Sequence, residues 1–82
     1  MNYRATVTEF VVENFLFGDG DRLEDETSFI GSGIVDSTGI MELVAFLEET
    51  YGIAVEDEEV IPENLDSLVQ VVAFLERKMN GR

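Results

Sequence analysis

The sequence predicts an all-α protein, a four-helix bundle with three longer helices, one short third helix and a long loop between helices one and two. Three segments carry apolar residues at the i, i+3, i+4 spacing of a helix face, and none shows the alternation of a half-buried strand. Glycines follow each of these segments, where helices commonly end. With 82 residues, we expect a single domain, residues 1–82, with a small core.

The first predicted helix runs from Tyr3 to Phe17, and Gly18 is expected at its C′ position. Its apolar face consists of Val7, Phe10, Val11 and Phe15. The following segment, residues 18–35, is a long connection, and a loop of this length in a small domain is either functional or held by its own apolar side chains. We expect five residues to be buried in this way: Leu23, Phe29, Ile30, Ile34 and Val35.

The second predicted helix begins at Ser37, with Asp36 as N-cap, and ends before Gly52. Its buried stripe is the clearest in the sequence and consists of Ile40, Leu43, Val44, Leu47 and Tyr51. Phe46 lies away from the centre of this stripe, so it either packs under the long loop or contacts a partner, and packing is the commoner role.

A short third helix is predicted at residues 56–61, because acidic side chains suit a helix N-terminus and Pro62 follows. Before the fourth helix, Ser67 and Gln70 have the spacing of a capping box. The apolar face of that helix consists of Leu68, Val71, Val72, Leu75 and Met79. Arg77 and Lys78 fall in its last turn and Gly81 lies beyond it.

Composition excludes several classes of function. Eighteen acidic residues against five basic ones give a formal charge of −13, which repels nucleic acids and anionic lipid and attracts proteins with basic patches. With no cysteine and no histidine, disulfides, thiolate metal sites and Ser-His or Cys-His catalysis are unavailable. We therefore expect a non-enzymatic protein with no metal. Because no apolar run could span a bilayer and no signal peptide is evident, we also expect a cytoplasmic monomer without membrane insertion.

Ser37 is the main candidate for a functional residue. A hydroxyl in the first turn of a helix lies where unpaired N–H groups and the macrodipole favour negative charge, so it is well placed to carry a phosphate. The alternative is a simple polar residue after an N-cap, which is common at helix starts. The glycines of the preceding loop complete no nucleotide-binding motif, and Asp19-Gly20-Asp21 does not continue into a calcium loop.

Helix two also carries three carboxylates, Glu42, Glu48 and Glu49. They could form a catalytic pair, a surface for partner recognition or a solvated face. A solvated face is the commonest role of such groups, and catalysis is disfavoured in a chain this short without histidine.

The chain as a whole resembles the acyl carrier proteins and the related peptidyl and aminoacyl carrier domains. The resemblance lies in the order of the helices and in four segments: 33–37 (Gly-Ile-Val-Asp-Ser), 42–44 (Glu-Leu-Val), 47–49 (Leu-Glu-Glu) and 64–68 (Asn-Leu-Asp-Ser-Leu). It implies that Ser37, preceded by Asp36, carries a 4′-phosphopantetheine arm, which a phosphopantetheinyl transferase adds from coenzyme A. The arm's thiol would then hold an acyl or aminoacyl group as a thioester.

The resemblance also implies partners: the transferase, a loading acyl or amino-acid ligase, and a downstream acyltransferase or synthase. Their expected contact surface comprises Thr38, Met41, Glu42, Ala45, Glu48 and Glu49. Thr38 and Gly39 differ from the leucine and frequent acidic residue of fatty-acid carriers and look more like the Asp-Ser-Met-Gly of stand-alone aminoacyl carriers. The expected function is thus acyl carriage in fatty-acid-like or specialised biosynthesis. The alternatives are aminoacyl carriage for cell-envelope modification and, in another class, an acidic helical interaction domain without a prosthetic group.

Overall fold

The computed structural model describes residues 2–80, except the side chain of Arg22, and within that range the chain is all-helical. The described helices are α1 (Tyr3–Phe15), α2 (Ser37–Tyr51), α3 (Pro62–Leu65) and α4 (Leu68–Asn80), with 3₁₀ turns at Gly20–Arg22 and Asp57–Glu59. Helix α4 packs against both α1 and α3, and α1 also contacts α2. The predicted order of three longer helices, one short helix and a long first loop is confirmed.

Helix α1 ends two residues earlier than predicted. The carbonyl of Val12 accepts hydrogen bonds from the N–H groups of both Leu16, at 3.2 Å, and Gly18, at 3.0 Å. For one carbonyl to accept both hydrogen bonds, the backbone must turn at Phe17, whose φ is +52°. The C-cap is Leu16, so the C′ position is Phe17 and not Gly18 as predicted, although Gly18 also has a positive φ, of +87°.

The bounds predicted for α2 are confirmed, and both caps act as expected. The Asp36 side chain accepts the Gly39 N–H. At the other end, Gly52 has a φ of +65° and its N–H donates to the carbonyl of Glu48. The start of α2, where Ser37 lies, is therefore fixed by its own sequence.

The third helix was predicted in the wrong place. Residues 56–59 close only a 3₁₀ turn, in which the Glu56 N–H donates to Glu59 Oε1 at 2.9 Å. The helix itself begins at Pro62, which occupies its first turn because proline's fixed φ and missing N–H suit that position. Lys78 Nζ of α4 bonds to Glu59 Oε1 at 3.0 Å and thereby holds the 3₁₀ turn against the last helix.

Helix α4 begins as predicted, with Ser67 capping it. Ser67 Oγ accepts the Gln70 N–H at 3.3 Å and donates to Gln70 Oε1 at 3.1 Å. The predicted stop at Gly81 lies outside the described residues. No helix within residues 2–80 is long and apolar enough to cross a bilayer.

The core draws on all four helices and on the long loop. Its buried apolar residues are Val7, Val11, Leu16, Phe29, Ile34, Val35, Leu43, Val44, Leu47, Leu65, Leu68, Val71, Phe74 and Leu75. The burial of Leu16, Leu65 and Phe74 was not predicted. The predicted burial of the loop residues Phe29, Ile34 and Val35 is confirmed, and Leu23 is half-buried. The prediction for Ile30 is wrong, because 49% of this residue is exposed.

Aromatic pairs join α1 to α2 at two levels. Phe46 stacks on Phe10 with ring centroids 4.2 Å apart, so it packs on α1 and not under the loop. Nearer the C-terminal end of α2, Tyr51 meets Tyr3 edge to face at 5.3 Å.

Candidate functional site

Ser37 is the first residue of α2 and is exposed. Asp36 Oδ1 accepts the Gly39 N–H at 2.7 Å, and the Asp36 carbonyl accepts the Ile40 N–H at 2.9 Å. The N–H groups of Ser37 and Thr38 donate to no acceptor within residues 2–80. An exposed hydroxyl thus stands beside two free backbone donors at a helix N-terminus, where an anion is stabilised.

Gly39 allows the start of α2 to approach its surroundings closely. A Cβ atom at this position would lie 2.7 Å from Val35 Cγ1 and 3.0 Å from Phe15 Cε1, closer than carbon atoms pack. The glycine therefore has a packing role, and it seats the Ser37 turn on the end of α1 and on the loop.

An apolar cleft of about 300 Å³ opens beside Ser37. It is lined by Ile30, Ser37, Ile40, Met41, Val60, Ile61, Pro62, Leu65 and Asp66. Ile30 and Met41 are 49% and 53% exposed, so apolar surface continues from the cleft to its rim. A group attached to the serine would have apolar side chains within reach.

The loop wall of this cleft is held by Asp66, between α3 and α4. Its carboxylate accepts from Ser28 Oγ at 2.5 Å through Oδ2 and from the Ile30 N–H at 3.0 Å through Oδ1. Its backbone carbonyl accepts the Phe29 N–H at 2.7 Å. Sequence reasoning missed this role, because Ser28 and Asp66 are 38 positions apart and no local motif joins them.

The predicted partner surface is largely exposed. Thr38, Met41, Glu42, Ala45 and Glu49 all face solvent. Among the described side chains, which leave out Arg22, the ion pairs lie elsewhere, at Arg4–Asp25 and Lys78–Glu59. That these residues bind partners stays a prediction.

Glu48 differs from the rest of the predicted surface. It is half-buried, and its Oε2 accepts the Val55 N–H at 2.9 Å, which ties the segment after α2 back onto the helix. One oxygen of its carboxylate is therefore engaged within the chain, and a role of Glu48 in partner binding stays a prediction.

Glu59 has a carboxyl group whose pKa is lowered by its neighbours. The backbone N–H of Glu56 and the ammonium of Lys78 hydrogen-bond to its carboxylate and hold its pKa below the usual value. Within the described chain, no three acidic side chains are grouped to hold a metal ion.

The residues around Ser37 fit a phosphate-linked prosthetic group. The hydroxyl is exposed and makes no hydrogen bond to residues 2–80, two N–H donors beside it are free, and an apolar cleft adjoins it. A phosphodiester needs the first two features, and an arm bearing an acyl group would be favoured by the third.

Comparisons with known proteins agree with this fit. The family model described as "Phosphopantetheine attachment site" matches residues 8–75. An acyl carrier protein of Bdellovibrio bacteriovorus is 36% identical over 95% of this chain and 96% of its own length. The "Probable acyl carrier protein PigG" of a Serratia species is 31% identical over 82% of this chain and 77% of its own.

The fold has a close counterpart among solved structures. The solution NMR structure of a holo acyl carrier protein from Nitrosomonas europaea superposes with a TM-score of 0.79. It covers 98% of this chain and 99% of that one, at 21% identity. Members of the family are carriers and not enzymes. The family match over residues 8–75, together with the curated relatives, shows that the chain belongs to the acyl carrier protein family, with 4′-phosphopantetheine as its prosthetic group.

Proposed function

We propose that Ser37 is the attachment point of the 4′-phosphopantetheine arm. The observation that carries this proposal is the free, exposed Ser37 hydroxyl next to the unpaired N–H groups of Ser37 and Thr38. In the attachment step, Ser37 Oγ loses its proton to a base of the transferase and displaces adenosine 3′,5′-bisphosphate from coenzyme A. The new phosphodiester keeps its negative charge at the N-terminus of α2.

The arm, when bound, supplies the thiol chemistry, and this chain's residues do the rest. Asp36 holds the first turn by accepting the Gly39 N–H, and the cleft offers apolar contact to the group beyond the phosphate. The protein's task is therefore to hold and deliver a thioester, not to react with it.

The attachment point is tested by intact-mass measurement after incubation with coenzyme A and a broad-specificity phosphopantetheinyl transferase. The wild-type protein should gain the mass of one arm, and Ser37→Ala should gain none. Ser32→Ala is the matched control, since Ser32 is an exposed serine five residues earlier, and it should be modified normally. No gain in the wild-type protein would favour the acidic interaction domain without an arm, and a gain retained in Ser37→Ala would move the site elsewhere.

We propose a small acyl or aminoacyl cargo in specialised biosynthesis. The cleft of about 300 Å³ is at the lower end of ligand-pocket sizes, and the similarity to a probable carrier of a Serratia species supports a specialised role. Thr38, directly after Ser37, adds an exposed polar group. Aminoacyl carriage for the cell envelope is the finer alternative, and it uses the same residues.

The size of the cargo can be tested by NMR on protein loaded through acyl-coenzyme A analogues. A short acyl or aminoacyl group should shift signals of the cleft residues Ile30, Met41 and Ile61 and leave core signals in place. A long fatty-acyl group should either leave these cleft signals unchanged or shift the core residues Leu43 and Leu65 as well. Large shifts confined to the cleft with a long chain would contradict the proposal.

We propose that the partner enzymes dock on one surface of α2. These enzymes are the transferase, the loading ligase and the downstream acyltransferase or synthase, and the surface consists of Thr38, Met41, Glu42, Ala45, Glu48 and Glu49. Glu42→Lys with Glu49→Lys should lower kcat/KM of modification about tenfold at low salt, and the deficit should shrink as salt rises. Glu13→Lys with Glu76→Lys makes the same change of charge at exposed positions on α1 and α4 and is the control. Equal rates for the two double variants would show that only net charge matters.

A further inference from the structure

Asp66 connects the turn at residues 28–31 to the junction between α3 and α4, and both segments contribute to the lining of the cleft. Its carboxylate holds Ser28 and the Ile30 N–H, and its carbonyl holds the Phe29 N–H. Ser28 Oγ in turn accepts the Gly31 N–H at 2.9 Å, so the turn at residues 28–31 is built around this one side chain.

The same bonds continue to the start of α2. The Phe29 carbonyl accepts the Val35 N–H at 3.1 Å. Val35 is buried, precedes the Asp36 cap directly, and lies where a Gly39 side chain would clash. The position of the Ser37 turn is therefore set, through two hydrogen-bonded steps, by the junction between α3 and α4.

We propose that Asp66 is a positioning residue for the modification of Ser37: it fixes the loop wall of the cleft and the approach to α2, so that the hydroxyl is presented in one orientation. This inference rests on the proposed role of Ser37. Misplacement of a reacting group by about 1 Å can lower a rate by as much as a hundredfold, so the loss of this anchor should affect the reaction itself.

The loop keeps other anchors when the Asp66 carboxylate is removed. The Phe29 N–H donates to the Asp66 carbonyl, which any side chain at this position retains, and the Val69 N–H donates to the Asp25 carbonyl at 3.0 Å. Phe29, Ile34 and Val35 also stay buried in the core. An Asp66 variant should therefore fold while its loop wall moves more freely.

The experiment compares Asp66→Ala, Asp66→Asn and Glu26→Ala. Alanine removes both acceptors. Asparagine keeps an oxygen that accepts from the Ile30 N–H, and its amide N–H can donate to Ser28 Oγ. Glu26→Ala removes one exposed carboxylate from the same loop and controls for the change of charge. Steady-state modification by a phosphopantetheinyl transferase with coenzyme A is followed with the carrier as the varied substrate, and amide hydrogen exchange is measured on the unmodified proteins.

For Asp66→Ala we expect kcat to fall about tenfold with KM for the carrier nearly unchanged, and faster amide exchange at residues 28–35. Asp66→Asn should recover most of the rate, and Glu26→Ala should match the wild type. A purely structural loss would act differently, because a partly unfolded carrier raises the apparent KM and leaves kcat unchanged.

An unchanged kcat in Asp66→Ala, or a change in KM alone, would overturn the proposal. If Asp66→Ala does not fold, Ser28→Ala takes its place, because it removes the hydroxyl bonded to Asp66 Oδ2 and keeps every bond between backbone groups, although the Gly31 N–H also loses its acceptor. The wild-type and Ser37→Ala reactions run in parallel, so a failure of the proposed attachment site appears as no modification in the former or full modification in the latter. It cannot be confused with a failure of Asp66.

Discussion

Gly39 shows how one residue sets the geometry of the site. With a Cβ, this position would crowd Val35 and Phe15, so the first turn of α2 could not seat where it does. This explains the glycine in the Asp-Ser-Thr-Gly segment by packing, independently of cargo. Thr38, which is exposed, is then the residue of that segment most open to selection by partners.

Gly39→Ala should lower the free energy of unfolding by about 1 kcal/mol. Overpacking costs about 1–3 kcal/mol, and the better helix propensity of alanine offsets up to about 1 kcal/mol of it. Urea unfolding followed by circular dichroism measures the change. Gly20→Ala is the control, since its Cβ would meet Val12 Cγ2 at an ordinary 3.5 Å, and it should be neutral or slightly stabilising. Equal stability of the two variants would contradict the packing role.

Phe17 combines a φ of +52° with a side chain that is 94% exposed. A non-glycine residue in this conformation is strained, and asparagine tolerates it better. Phe17→Asn should therefore raise the melting temperature by a few degrees, whereas Phe17→Ala, which removes the ring and keeps the strain, should not. A gain of the same size in both variants would mean that the exposed ring, and not the backbone, was responsible.

At the scale of the elements, α2 shows two carboxylates with different roles. Glu48 accepts the Val55 N–H, whereas Glu49 is exposed and makes no such bond within residues 2–80. Glu48→Ala should lower the free energy of unfolding by about 1 kcal/mol, because a hydrogen bond to a charged acceptor is lost. Glu49→Ala should change it by less than about 0.5 kcal/mol. Denaturant titrations of the two variants decide between these roles, and similar losses would contradict the distinction.

The contact between α4 and the 3₁₀ turn should depend on pH. The folded pKa of Glu59 is lowered, so its stabilisation is present above the usual carboxyl pKa and is lost as the pH falls through the lowered value. Lys78→Met should be less stable than the wild type at neutral pH, by less than about 1 kcal/mol. The difference should shrink in acid. Melting temperatures of the wild type and of Lys78→Met, measured from neutral pH into acid, test this expectation.

Arg77→Met is the control for that titration. Arg77 bonds to Asn64 Oδ1, an uncharged acceptor, at 2.8 Å and attracts Glu59 only as the smallest of the causes that lower its pKa. Most of the stability lost in Arg77→Met should therefore persist in acid. A deficit of Lys78→Met that also persists would assign the stabilisation to the packing of Lys78 over Phe74, at 5.9 Å from the ring centroid, and not to Glu59.

The elements that could be predicted are those with local signals at both ends. Asp36 and Gly52 bracket α2, and Ser67 with Gln70 starts α4. The third helix was misplaced because the acidic run from Glu56 is equally typical of a helix N-terminus and of a 3₁₀ turn. The better signal is Pro62, because proline favours the first position of a helix and so predicts a helix start at residue 62, not the end of a helix before it.

At the scale of the whole molecule, the charge is strongly one-sided. The net charge is −13, and the described side chains form only two ion pairs, so repulsion between carboxylates destabilises the folded state. Adding about 0.2 M sodium chloride, which shortens the Debye length to less than about 8 Å, should raise the melting temperature by about 5 °C. Sucrose at equal osmolality controls for exclusion of solute. A flat response to salt, or an equal response to sucrose, would contradict this account.

The cleft is the part of the site that could not be predicted from a single sequence. Ser37 and Asp36 lie in one segment with recognisable cap chemistry, and that segment also carried the resemblance. Ile30, Ile61 and Asp66 come from other segments and meet only in the fold. Ile30 was expected in the core because it is apolar, and its place on the cleft follows from bonds to Asp66 that no local pattern encodes.

The pairing of Tyr3 with Tyr51 makes the protein its own spectroscopic reporter. These are the only two tyrosines in the sequence, and it contains no tryptophan. All tyrosine fluorescence therefore comes from the two side chains of this contact. Tyr51 is fourteen residues along α2 from Ser37, about 21 Å by helical rise. The emission therefore reports the contact of α1 with α2 at the end of the helix far from Ser37, and unfolding can be followed without a label in unmodified and loaded protein alike.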